Sequence, residues 1–235
     1  MDERTGYRDP EQREGQLMDS HDDERETLQR DSGVTLTELL VALGVFTAVI
    51  AVFMAGVVTM TKNTARAVSV SDTGSVVRTV FQRMDKEVRY ASSINRPGKG
   101  PSGAYYVEYL IQVVEGGKPQ RCIQWRVTAD RKLQRREAPG PSGSGATGWY
   151  TFSDGVRNDL NVPAQLPFQF SPADNVYANQ RLKVVLEVAP NASQTGSGLE
   201  TEFVARNTSS SSTTNADLDN DGRSDIMTCT GMGRD

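Results

Sequence analysis

The chain has 235 residues, 37% of them hydrophobic, and a formal net charge of −4, enough for one modest domain with additions. Its single histidine, His21, lies in an acidic N-terminal stretch. Serine–histidine–aspartate chemistry, cysteine–histidine chemistry and histidine-ligated zinc are therefore excluded beyond it.

No Lys/Arg cluster points to a nucleic-acid partner. Carboxylate, lysine, tyrosine or thiol chemistry remains, but no acidic pair stands out from ordinary surface charge, and the expectation is a protein that is not an enzyme. Residues 1–33 hold 11 acidic and 5 basic side chains, with Pro10 and few large apolar residues. Such a segment buries too little surface to offset its chain entropy, so it reads as a disordered leader.

The polarity switches abruptly at Gly33. From Leu39 to Thr61 the chain runs for 23 residues without a charge, which at about 1.5 Å per residue covers the roughly 30 Å hydrocarbon core of a bilayer. The stretch is too long for the core of a cleaved secretory signal, and no small-residue cleavage pattern follows it. A transmembrane helix is expected over 34–61. Glu38, five residues after Gly33, is the one carboxylate near its start. A membrane carboxylate wants a cation. Cleavage between Gly33 and Val34 would supply one as a new α-amine, either the chain's own or that of a neighbouring helix. The alternative is a plain signal anchor with Glu38 snorkelling to the interface.

The stretch Arg30-Asp31-Ser32-Gly33-Val34-Thr35-Leu36-Thr37-Glu38 resembles the class III signal peptide of type IV prepilins and type II secretion pseudopilins. The resemblance implies that a prepilin peptidase cuts after Gly33 and N-methylates Val34, and that Glu38 guides assembly. It further implies a single-pass membrane protein with a cytoplasmic N-terminus that later joins an extracellular fibre. Its partners would be other pilin or pseudopilin subunits and an inner-membrane assembly platform. Two features differ from the usual pattern: Val34 stands where Phe or Met is common, and Asp31-Ser32 replace the base before the glycine.

Val76, Val77, Val80, Phe81, Met84 and Val88 recur at spacings of three and four, predicting an amphipathic helix over 62–96 that runs to about Ile94, with Asn95-Arg96-Pro97-Gly98 as its stop. A β-sheet head is expected over 97–207. Its strands are read at Tyr105–Val114, Arg121–Val127 (alternating, hence half-buried), Lys132–Glu137, Phe168–Phe170, Leu182–Val188 and Thr201–Ala205. Glu115–Lys118 reads as a hairpin turn and 139–148 as a flexible exposed loop. The fold class is α+β, a pilin-like long N-terminal helix packed on an antiparallel sheet. As in the larger minor pilins that the chain resembles, Arg206-Asn207 would close the last strand.

Residues 208–235 read as a Ser/Thr linker followed by an acidic loop. Asp217, Asp219 and Asp221 occupy positions 1, 3 and 5 of a calcium-loop template, Gly222 position 6, Arg223 (through its carbonyl) position 7, Asp225 position 9 and Thr228 position 12. Ca2+ is the expected cation, and an ordinary solvated turn is the alternative. Cys122 and Cys229 are the only cysteines and both follow the membrane helix, so one disulfide in an oxidising exterior is expected, with two separate thiols as the alternative.

Overall fold

The structure, a computed structural model, describes residues 33–112, 119–189 and 196–235. The expected leader, apart from Gly33, and the turn at 115–118 lie outside these residues. The chain divides at Ala55/Gly56 into two compact units, and each is described by itself.

Helix α1 spans Leu36–Arg89. In its first unit, through Ala55, side chains are exposed all round, among them Leu39, Leu40, Phe46, Val49 and Phe53. The stretch is long and apolar enough to cross a membrane. Within it the Thr47 hydroxyl donates to the Leu43 carbonyl at 2.7 Å, an internal pairing that a lipid environment favours.

In the second unit α1 turns an apolar stripe inward. Val77, Val80, Phe81, Met84 and Val88 are buried, matching the predicted 3.6-residue period. The helix ends at Arg89, earlier than the expected 96, and Ala91–Ile94 form strand β1. The chain has no glycine or proline there. What ends the helix is tertiary: the Arg206 N–H donates to the Arg89 carbonyl at 3.2 Å and the Asn207 side chain to the Tyr90 carbonyl at 3.2 Å. These bonds satisfy carbonyls that the helix end leaves open. The last strand, β9 (Ser197–Val204), stops before them, so Arg206-Asn207 serve the helix instead of extending a strand.

A six-stranded antiparallel sheet has the order β1-β3-β4-β5-β6, with the short β2 (Gly98–Lys99) also pairing with β3. Its other strands are β3 (Tyr105–Ile111), β4 (Arg121–Val127), β5 (Leu133–Pro139) and β6 (Tyr150–Ser153). Between β3 and β4 the register is continuous, with Val107 opposite Trp125 and Tyr109 opposite Ile123. A second sheet, β7-β8-β9, comprises Phe168–Ser171, Arg181–Val188 and Ser197–Val204. The main core unites the α1 stripe with Tyr109, Ile123, Trp125, Leu182, Leu186 and Phe203.

Strand β4 is buried on both faces, not half-buried as its alternation predicts. The covering layer on the second face is the C-terminal tail. Leu110, Cys122 and Ala138 on the sheet pack against Cys229 and Met232. The polar residues of that face are met in turn. Glu108, 2% exposed, takes two-pronged hydrogen bonds from Arg234, the shortest 2.7 Å, and the Gln124 amide donates to the Gly233 carbonyl at 2.6 Å. The loop read as flexible over 139–148 is pinned by the same tail: the Cys229 and Gly231 N–H groups donate to the Pro141 and Ser142 carbonyls. Gly143 has φ +77, and a Cβ there would meet the Met232 side chain at 2.7 Å, so only glycine fits.

One polar cluster crosses the core. Glu87 lies on the buried stripe of α1. Its carboxylate accepts from the Tyr109 hydroxyl at 2.6 Å, Trp125 Nε1 at 3.2 Å, Arg83 at 3.1 Å and Arg135 at 2.8 Å. Burial pushes the Tyr109 phenol well above its ordinary value, and the Glu87 charge adds to this; the hydroxyl therefore stays a donor. Burial works against the Arg135 charge, but Glu87 and Glu137 outweigh it and its pKa rises. Glu137 is held below the usual carboxylate range by the hydrogen bond from Arg135. Removing one partner strands the other charge in a dry site. Glu87→Ala is expected to cost about 3–5 kcal/mol, while Glu87→Leu combined with Arg135→Leu should cost clearly less. Denaturant unfolding of the detergent-solubilised chain measures both.

Candidate functional site

The junction that carries the sequence reading is exposed. Gly33, Val34 and Thr35 precede the helix without regular structure, and among the described residues no atom lies within 4 Å of a Cβ built on Gly33. The Thr35 hydroxyl accepts the Glu38 N–H at 3.2 Å and the Thr35 carbonyl accepts the Leu39 N–H at 3.1 Å. Thr35 is thus the N-cap and Glu38 the third helical residue, the spacing of a capping box. Sequence reasoning missed this local role, although Thr-x-x-Glu before an apolar run is its signal. The first turn is also where the helix dipole favours a carboxylate. Glu38 is exposed and engages no cation among the described residues.

The acidic loop is brought together in part. Carboxylate oxygens of Asp217, Asp219 and Asp221 lie within 4.8 Å of one another and could hold a metal ion. Gly222 (φ +78) and Asn220 (φ +60) supply the left-handed conformations that bend the loop. Asp225 is not in this group; its carboxylate accepts the Leu218 N–H at 2.9 Å and so closes the loop from outside. Arg223 donates its N–H to Asp221 at 2.7 Å. Thr228 gives its N–H to the Asn95 side chain at 2.9 Å, and its carbonyl accepts from the same side chain at 2.7 Å. The template position 12 is thereby spent on the sheet, a pairing that loop spacing cannot reveal.

The chemistry of the three donors fits a hard divalent cation. Asp217 is mostly buried, and its Oδ1 has no hydrogen-bond partner among the described residues. Its other oxygen lies 3.7 Å from the Arg96 guanidinium. A buried carboxylate oxygen without a donor is costly, and a cation would remove that cost.

The predicted linker is folded. Thr214 is buried, and its hydroxyl accepts from the Gln180 amide at 2.9 Å. Buried Ser224 donates to the Thr214 carbonyl at 2.8 Å and accepts the Arg96 N–H at 3.0 Å. These bonds hold the acidic loop independently of the disulfide. Cys122 and Cys229 are joined, with Cα atoms 5.6 Å apart and a sequence separation of 107. Closing a loop of that size contributes up to about 4.7 kcal/mol in the chain-entropy account.

No protein-family model, curated protein or solved structure matches the chain. Its site is read from geometry alone.

A divalent cation at about ten times its dissociation constant adds roughly 1.4 kcal/mol to a folded state that alone binds it. The melting temperature should then rise by about 3 °C, and Asp217→Asn should abolish the rise. Differential scanning fluorimetry with and without chelator reads both.

Proposed function

We propose that the chain is a structural subunit, a minor pilin or pseudopilin, inserted in the cell membrane with its N-terminus cytoplasmic and then assembled into a type IV pilus-like fibre or a secretion or competence pseudopilus. The observation that carries this reading is an apolar helix whose side chains stay exposed and whose first turn holds Glu38, five residues beyond an accessible glycine. Cleavage after Gly33 would leave Val34 as the first residue, N-methylated by the same prepilin peptidase. Glu38 would then pair with the α-amine of a neighbouring subunit, and the cost of leaving either charge unpaired in an apolar bundle would set the axial register. Bundle packing of the helix covers the apolar surface. The folded second unit would be carried on the fibre, its disulfide formed outside the cytoplasm. The working chemistry is packing and charge pairing, without catalysis.

The size of the β-sheet unit and its tail suits a minor or tip-proximal subunit. The cation proposed for Asp217, Asp219 and Asp221 is Ca2+, the hard ion available outside cells, at the ~10⁻⁴–10⁻³ M affinity of extracellular modules.

A second reading is a membrane-anchored, calcium-dependent binding protein that does not polymerise. The Asp217 oxygen, which has no partner among the described residues, favours it. Glu38 separates the two. Glu38→Leu keeps an apolar helix and should leave membrane insertion intact. In a fibre subunit it should reduce the chain recovered in sheared fibres by tenfold or more, about 1.4 kcal/mol of assembly energy. Equal recovery of Glu38→Leu and wild type from the fibre fraction would favour the anchored binding protein.

A further inference from the structure

A cavity of about 570 Å³ opens between the β4–β5 turn and the loop 156–161. Val127 and Val156, each 1% exposed, contribute apolar lining, and Lys99, Arg131 and Asp159 are polar groups around it. We propose that this cavity binds a small oxyanion-bearing ligand, with Arg131 as the principal anion contact and Lys99 as the second.

Arg131 carries the argument. Its backbone is left-handed, φ +66, at a hairpin position that glycine or asparagine adopts at less cost. The backbone there is fixed without help from the side chain: the N–H donates to the Thr128 carbonyl at 3.0 Å, and the carbonyl accepts the Val156 N–H at 2.9 Å. The residue is exposed and borders the cavity, and its side chain makes no hydrogen bond or ion pair among the described residues. An arginine held in a costly conformation, with its guanidinium uncommitted beside a cavity, is an available two-pronged donor for a carboxylate, phosphate or sulfate.

The surrounding charges leave that donor in excess. The lining holds three cations, Lys99, Arg131 and Arg157, against one carboxylate, Asp159. Arg157 faces Glu187 at 3.7 Å. Asp159 accepts from the Asn161 backbone at 2.9 Å, and Lys99 donates one hydrogen to the Asn161 side chain at 2.7 Å, keeping two. Asp130, the carboxylate next to Arg131, pairs with Lys132 at 2.6 Å. The cavity shares no lining residue with the Gly33 junction or the acidic loop, so the proposal stands apart from fibre assembly and from metal binding.

The test is titration of the full detergent-solubilised chain with inorganic phosphate and, separately, glucuronate at constant ionic strength, followed by calorimetry or amide shifts. Saturable binding with a dissociation constant of about 1 mM is expected for at least one probe. Binding of both identifies a bare oxyanion site, and binding of glucuronate alone identifies an acidic sugar. Arg131→Gly relieves the backbone, so it should melt about 2 °C higher while binding about tenfold more weakly. Lys99→Gln should weaken binding without that rise. Failure of both probes to saturate, or wild-type affinity in Arg131→Gly, overturns the proposal.

Discussion

Water cannot be the settled environment of the first half of α1. Leu39, Leu40, Phe46, Val49, Val52 and Phe53 are all more than half exposed. At about 25 cal/mol per Å² of apolar surface, the drive to cover such a face is many kcal/mol. A bilayer satisfies it, and so does a bundle of like helices. The proposed life of the chain is a passage from one to the other. In the proposed fibre Glu38 would also pair with a neighbour's amine, and that pairing would fix register where apolar packing alone would slide.

The second unit meets the opposite problem, a sheet with two faces to cover. One face is closed by the helix stripe and by the sheet β7-β8-β9, with Glu87 binding helix to strands through Tyr109, Trp125 and Arg135. The other face is closed by the tail, held by the disulfide, by Met232 and by the Arg234–Glu108 pair. The tail is thus a structural layer of the domain as well as the bearer of the acidic loop. Asn95 and Arg96 connect the two roles: Asn95 binds Thr228, and Arg96 reaches Asp217, while its carbonyl accepts from Arg234.

Much of this was legible where the signal is local. The apolar run, the α1 stripe and β4 follow from period and length. The pairing of Cys122 with Cys229 was expected from their being the only two thiols. What stayed hidden depends on partners distant in sequence. The helix ends at Arg89 because Arg206 and Asn207, just past β9, cap it. Strand β4 looks half-buried until a tail some hundred residues later covers its polar side. Glu87 falls on the apolar stripe, three residues after Met84, and that position was a readable sign of a buried carboxylate; its arginine and tyrosine partners were not readable. In the acidic loop, the 1-3-5 spacing found three converging carboxylates. It could not show that Asp225 closes the loop from outside or that Thr228 is bound to Asn95.

The central claim is that Gly33 is a processing site and Val34 the first residue of the working protein. Intact mass and N-terminal sequencing of the chain extracted from native membranes test it most directly. The account predicts a chain that begins at Val34 and carries the mass of one added methyl group. A membrane chain that retains residues 1–33 would contradict it, and Glu38 would then be no more than the capping residue of a membrane anchor.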